Sequence, residues 1–229
     1  MAGQMVTFPS NGHTCEGYLA LPAFGKAPAV VVMQEWWGMT PWIRSVVDRF
    51  AAAGYVALAP DLYHGKVTDE PDEATKLMMA MQMDVAAKDM SGAYDFVASH
   101  SASTGKAGSV GFCLGGGLSL FAATLRPFDA CVIYYGVLPG VQPDLAKLAG
   151  PVLGHYAEHD SWASPDAARQ LEAQIRAAGK SVEFHIYDGA KHAFCNPSPE
   201  VEKVGGKYDE AAAATSWDRT LAFYKQHLA

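Results

Sequence analysis

The segment Ser109-Val-Gly-Phe-Cys-Leu-Gly-Gly-Gly117 carries the clearest chemical signal in the chain. An apolar run passes into small residues through Gly111-Phe112-Cys113-Leu114-Gly115, a strand-to-helix elbow with cysteine where serine is usual. The central residue of such an elbow sits on a sharp, strained turn, so the positions two residues away must have almost no side chain. The turn sets the sulfur at a helix N-terminus, where main-chain N–H groups and the helix dipole favour negative charge. The N–H of Leu114 is then placed to donate to the oxyanion of a tetrahedral intermediate. A glycine-rich turn also suits nucleotide binding, but the Gly-Lys-Ser/Thr of a phosphate loop is missing and the dinucleotide spacing fails. A structural cysteine in a tight turn is the other alternative.

A nucleophile needs a base within hydrogen-bond reach and a carboxylate to orient that base. Ala157-Glu158-His159-Asp160 and Asp188-Gly-Ala-Lys-His192-Ala-Phe194 each follow an apolar strand run. Cys113, Asp160 and His192 stand in the nucleophile–acid–base order of α/β-hydrolases. His192 stands out among eight histidines because it lies in a loop after the last strand. His13, His100 and His227 read as surface residues, and His185 as a strand residue. His159 competes for the base and Glu158 for the acid, and helix capping is the structural alternative for Asp160.

The elements that must position these groups alternate along the chain. Strands are expected at Ala29–Met33, Tyr55–Leu58, Ser109–Phe112, Cys131–Tyr135, Pro151–Tyr156 and Val182–Tyr187. Helical patterns fill the intervals: Trp42–Ala53, a long helix over Thr75–Ala98, one after Gly115, one opened by Ser164-Pro165, and a last one over Asp209–Leu228. Met78, Met79, Met81, Met83 and Met90 read as core of the long helix, with a plastic pocket wall as the alternative. Short apolar strands separated by helices predict parallel pairing with helices on both faces. Met5–Phe8 and His13–Leu21, joined through Ser10-Asn11-Gly12, read as an antiparallel hairpin. The fold class is therefore α/β, a mostly parallel central sheet with an N-terminal hairpin, in a single domain over 1–229. Ligands of such sheets bind beyond the carboxyl ends of the strands. That rule selects Glu35, Asp61, Cys113, Tyr135, Asp160 and His192.

Composition excludes other classes. Half of the 229 residues are hydrophobic, which argues against a disordered chain. The net charge of −7, with no basic run, argues against nucleic-acid and anionic-membrane partners. The longest purely apolar stretch, Ala27–Met33, is too short to span a bilayer. The N-terminus lacks a secretory pattern, and Cys15, Cys113, Cys131 and Cys195 are too scattered for a zinc or CxxC site. Free thiols in a cytoplasmic protein are expected. No metal is expected, and the assembly expected is a monomer or weak homo-oligomer.

Gln34-Glu35-Trp36-Trp37-Gly38, Pro60-Asp61-Leu62-Tyr63, Gly111-Phe-Cys-Leu-Gly-Gly116, Tyr134-Tyr135-Gly136, Asp160 and Gly189-Ala-Lys-His192-Ala-Phe194 together resemble the dienelactone hydrolase family. The resemblance runs from about residue 5 to the C-terminus. It implies the α/β-hydrolase fold, a Cys113–His192–Asp160 triad without cofactor, and an oxyanion hole from the N–H groups of Leu114 and Trp36. It also implies that Glu35 faces the nucleophile and helps form the thiolate, with a paired structural carboxylate as the alternative.

Trp36, Trp37, Tyr63, Tyr135 and Phe194 are candidates for an apolar pocket or for plain core, with Asn196 beside them. Family members specific for dienelactone hold its carboxylate with two arginines. Here Asn196 stands at one of those positions, and Glu70-Pro-Asp-Glu73 surrounds the other. Lys66 and Lys191 could offer point charges without the bidentate fork. The expected partner is a small-molecule ester or lactone. A broad carboxylesterase for neutral esters and a non-catalytic ligand-binding module are the alternatives.

Overall fold

The computed structural model describes residues 2–10, 12–136 and 140–229. The chain forms one eight-stranded sheet in the order β1-β2-β4-β3-β5-β6-β7-β8. Its strands are β1 (Gln4–Ser10), β2 (His13–Ala20), β3 (Ala27–Met33), β4 (Val56–Pro60), β5 (Ser103–Phe112), β6 (Ala130–Tyr134), β7 (Val152–His159) and β8 (Val182–Lys191). The hairpin β1–β2 is antiparallel, and β2 pairs antiparallel with β4; every other pairing is parallel. Asn11, in the connection of that hairpin, lies outside the described residues. The hairpin is tied to the body through a buried carboxylate. Asp89 accepts from Ser10 Oγ at 2.5 Å and lies 2.8 Å from His13 Nε2.

The helices are α1 (Pro41–Ala52), α2 (Pro71–Ala80), α3 (Met83–Ser99), α4 (Leu114–Leu125), α5 (Pro165–Ala177) and α6 (Glu210–His227). Three open on side-chain caps: Thr40, Ser164 and Asp209 accept from Ile43, Ala167 and Ala212 N–H respectively. Phe50 of α1 meets Trp217 of α6 on one face of the sheet, while α3 and α4 pack together on the other. Covered on both sides, the Val30-Val-Val-Met33 run of β3 is wholly buried, which is why it shows no alternation.

One expectation is corrected. The long helix over Thr75–Ala98 is two helices, α2 and α3, parted by extended backbone at Met81 and Gln82. The methionines keep an apolar pattern running through the break, but the buried faces do not match. α2 buries Ala74 and Leu77, whereas α3 buries Ala86, Met90, Ala93 and Val97. At about 100° per residue, the nine steps from Leu77 to Ala86 are half a turn out of phase, so one straight helix could not bury both sets. Met79, expected in the core, is 79% exposed.

From β3 the chain goes first to β4 on one side and then crosses to β5 on the other. The ends of β3 and β5 thus form the switch point at which open α/β sheets bind ligands. Glu35 follows β3 and Cys113 follows β5.

Candidate active site

Cys113 occupies the turn between β5 and α4 with φ 56° and ψ −122°, a backbone state that a non-glycine residue rarely adopts. The flanking glycines make that turn possible. A Cβ on Gly111 would collide with the Gly115 carbonyl, and one on Gly115 with the carbonyls of Met33 and Gln34. Main-chain bonds from Cys113 N to Tyr134 O (3.1 Å) and from Gly116 N to Cys113 O (2.9 Å) close the turn. Tyr135 (φ 37°) and Ala193 (φ 59°) share the unusual backbone state and flank the same site. Such strain persists only where the surrounding structure over-determines it.

His192 lies at the end of β8, buried, with Nδ1 2.7 Å from Asp160 Oδ2. Asp160 follows β7, and its other oxygen accepts from the N–H groups of Trp162 (2.8 Å) and Ala163 (2.9 Å). Burial works against a charge on Asp160, but the hydrogen bond and charge of His192 and the two N–H donors outweigh it and hold the carboxyl below its ordinary range. Burial likewise works against a charged His192. The negative charge that Cys113 can carry, with the hydrogen bond and charge of Asp160, outweighs it and lifts the imidazole to about 10. Asp160 and His192 therefore form a hydrogen-bonded chain that ends at the cavity lined by Cys113.

The rivals for these roles are engaged elsewhere. Glu158 Oε2 accepts from Gly189 N–H at 2.7 Å, and His159 points to Glu158 from an exposed position. Asp61 builds a turn, accepting from the N–H groups of Tyr63 (3.1 Å) and Gly65 (2.7 Å).

Glu35 is buried beside this chain. Oε2 accepts from Asn196 Nδ2 at 2.7 Å, and Oε1 has no hydrogen-bond partner among the described residues. Burial is the largest influence and pushes the carboxyl up to about 7, against the opposing effects of the Asn196 amide and His192.

A narrow cavity joins these groups. Glu35, Cys113 and His192 line it together with Trp36, Trp37, Leu114, Met78, Trp162, Ala193, Val201 and Val204. The two proposed oxyanion donors, Leu114 and Trp36, are therefore on its wall, and Leu114 opens α4, where main-chain N–H groups lack intrahelical acceptors. Of the expected pocket residues, Trp37 lines the cavity and four do not. Tyr135, Phe194 and Asn196 are wholly buried behind the wall, Tyr135 with its ring 5.1 Å from that of His192. Tyr63 lines a separate cavity beside Lys66 and Gln82. Their place behind the wall follows from packing: they brace the loops that carry the reacting groups.

Two contributors escaped sequence reasoning, Trp162 and the 3₁₀ segment Pro199–Val204, whereas Met78, one of the methionines weighed as a pocket wall, lines the cavity. Trp162 is the more informative, half-exposed, with its ring 5.7 Å from Trp36 and 6.5 Å from His192. Its position two residues after Asp160 was the available signal. No lysine or arginine lines the cavity among the described residues.

A model of the dienelactone hydrolase family matches residues 15–228. The chain belongs to the dienelactone hydrolase family. Protein usf of Aquifex pyrophilus is 37% identical to it over 235 residues, covering 99% of each chain. The carboxymethylenebutenolidase of Pseudomonas putida is 33% identical over 225 residues, 93% of this chain and 92% of the relative. A solved dienelactone hydrolase-like promiscuous phosphotriesterase from metagenomic libraries shares the fold, with a TM-score of 0.89 at 21% identity over 99% and 98% of the two chains. As a member of the dienelactone hydrolase family with carboxymethylenebutenolidase relatives, the protein is a hydrolase of small-molecule esters or lactones. No helix among the described residues is long and apolar enough to cross a membrane.

Proposed function

We propose that this family member cleaves small, uncharged esters or lactones with Cys113 as nucleophile, His192 as acid and base, and Asp160 as the group that orients the imidazole. The observation that carries the reading is the Asp160–His192 hydrogen bond, with His192 sharing one cavity with a cysteine on a strained elbow at a helix N-terminus. The Cys113 thiolate attacks the carbonyl carbon. The oxyanion is received by the N–H groups of Leu114 and Trp36, each worth about 3 kcal/mol of barrier. Protonated His192 gives its Nε2 proton to the leaving oxygen, and the thioester remains on Cys113.

The next step has a physical basis in the same geometry. Cys113 is the foremost influence raising His192, and acylation leaves its sulfur unable to carry a charge. The ring's proton affinity therefore falls when it must take a proton from the attacking water. The unpartnered oxygen of Glu35 and the apolar wall of Trp36, Trp37, Met78, Trp162, Val201 and Val204 disfavour a substrate carboxylate. That favours neutral esters over dienelactone. We also infer a single domain over 1–229 acting in the cytoplasm, a reading supported by the free thiols of all four cysteines.

The test compares kcat/KM for dienelactone and for an uncharged ester of similar size, in wild type and Cys113→Ala. A preference for the neutral ester, falling by at least about 10³-fold in the variant, is expected. Undiminished turnover by Cys113→Ala would overturn the nucleophile, and a preference for dienelactone would overturn the substrate class.

A further inference from the structure

Two walls of the active-site cavity come from short segments that are held in different ways. Val201 and Val204 lie on the 3₁₀ segment Pro199–Val204, and main-chain bonds fix that segment to the turn carrying His192. Gly206 N–H donates to Val201 O at 2.9 Å, and Lys207 N–H donates to His192 O at 3.1 Å. Met78 lies on α2, ten residues with extended backbone at both ends, at Glu70 (φ −101°, ψ 124°) and at Met81 (φ −65°, ψ 118°). Only Ala74 and Leu77 of α2 are buried. A helix with so small a buried face, set between two extended joints, turns as a unit when a few dihedral angles at its ends change. One side chain ties the two walls together. Lys203, on the 3₁₀ segment, donates from Nζ to Asp69 O and to Glu70 Oε1, both at 2.9 Å, with Asp69 Oδ2 at 3.6 Å. Among the described residues these are the only hydrogen bonds that join residues 69–80 to a segment distant in sequence.

We propose that Lys203 is a specificity-determining residue: by tying Asp69 and Glu70 to the 3₁₀ segment it fixes the spacing between the Met78 wall and the Val201–Val204 wall, and so sets the size of ester that the cavity admits. This deepens the proposed function and rests on its reading of that cavity as the place where esters meet Cys113. The 3₁₀ segment is pinned to the His192 turn, so the tie acts on α2 and leaves the base where it is. Releasing it changes the width of the cavity and not its chemistry. The width matters because the cavity holds only about 60 Å³, against roughly 300 Å³ or more for a typical small-molecule site. A small shift of one wall is then a large part of the space available. The two acceptors divide the work. The Asp69 carbonyl accepts whatever residue 70 carries, whereas Glu70 adds an ion pair at the N-cap position of α2 and pulls on the helix itself. The Lys203 side chain is 39% exposed and that of Glu70 68%. Ion pairs this exposed hold weakly, which suits a joint that must open to admit substrate.

The experiment measures kcat/KM for two neutral esters with one leaving group, p-nitrophenyl acetate and the bulkier p-nitrophenyl benzoate, and reads the ratio of the second to the first. Lys203→Met keeps the length of the stem and loses the charge and the donors. It should raise the ratio by about two- to five-fold, the scale of an exposed ion pair. The change should lie mainly in a lower KM for the benzoate, because the groups that set kcat are on the fixed side of the cavity. Glu70→Gln, which leaves the Asp69 carbonyl as an acceptor, should raise the ratio by less. Exchanging the charges, Lys203→Glu together with Glu70→Lys, should bring the ratio back toward wild type. A purely structural role would lower the melting temperature, or both rates together, and leave the ratio where it was. A ratio that is unchanged or lowered in folded Lys203→Met overturns the proposal, as does a charge exchange that stays as far from wild type as Lys203→Met. Failure of the nucleophile reading would appear separately, as turnover of both esters that survives Cys113→Ala.

Discussion

The loops after β7 and β3 each bring one buried carboxylate to the same imidazole, and they treat it in opposite ways. Asp160 has two main-chain N–H donors on one oxygen and His192 on the other, and it is held ionised. Glu35 has one neutral donor and one unpartnered oxygen, and burial pushes it up to about 7. Two buried carboxyls thus become different acids: Glu35 is the more deeply buried, and its loop supplies fewer donors and no cation. A pair of groups pushed apart in this way is how one site holds a fixed charge and an exchangeable proton together.

The largest expected effect breaks the Asp160 side. Asp160→Asn should lower kcat/KM by about 10³- to 10⁴-fold, because the amide favours the wrong tautomer of His192. A loss below about ten-fold would mean that the imidazole is oriented by something else.

The second prediction sharpens the comparison through stability. The folded-state value of Glu35 lies above its ordinary 4.5, so the folded protein binds the extra proton and loses stability as pH rises from there through about 7. Glu35→Gln should therefore raise stability at pH 8 by about 3 kcal/mol, at roughly 1.4 kcal/mol per pH unit, and change little at pH 5. Asp160 has the opposite sign. Its depressed value contributes stability above the ordinary carboxylate range that is lost as pH falls through the folded-state value, so Asp160→Asn should destabilise at pH 8. Thermal melts of both variants at the two pH values check the pair of signs.

Smaller effects test the wall around the two carboxylates. Trp162→Ala should raise KM for aryl esters by about ten-fold with kcat nearly kept, as expected for lost apolar contact of roughly 1–2 kcal/mol. An equal fall in kcat would show that Trp162 also orients His192. The smallest effect is expected at Met79, which faces solvent: Met79→Lys should shift stability by no more than about 0.5 kcal/mol. Leu77→Ala, on the buried face of α2, should cost about 2 kcal/mol or more in the same melts.

The contrast also marks what could be read from the chain. The connected side was legible because a strand-to-helix turn with Gly111 and Gly115 admits few residues at its centre, and because strand order restricts where Asp160 and His192 can fall. The Glu35 side was legible only in part. Its position after a buried strand marked the carboxylate, and resemblance supplied its role, but its partner could not be inferred from spacing. Asn196 is 161 positions away in sequence from Glu35 and looked like pocket lining. Trp162, Val201 and Val204 lie on irregular segments whose aim no periodicity reveals. The break between α2 and α3 was hidden because methionines fit either phase of the helix. Residues fixed by backbone geometry were readable; those fixed by loop packing were not.

The most direct test of the central claim is rapid quenching of the protein with an activated neutral ester, followed by peptide mass spectrometry. The account predicts the acyl group on Cys113, accumulating further in His192→Ala if that variant still acylates, and absent from Cys113→Ala together with turnover. Hydrolysis that proceeds in Cys113→Ala at the wild-type rate, with no acyl group ever found on Cys113, would contradict it.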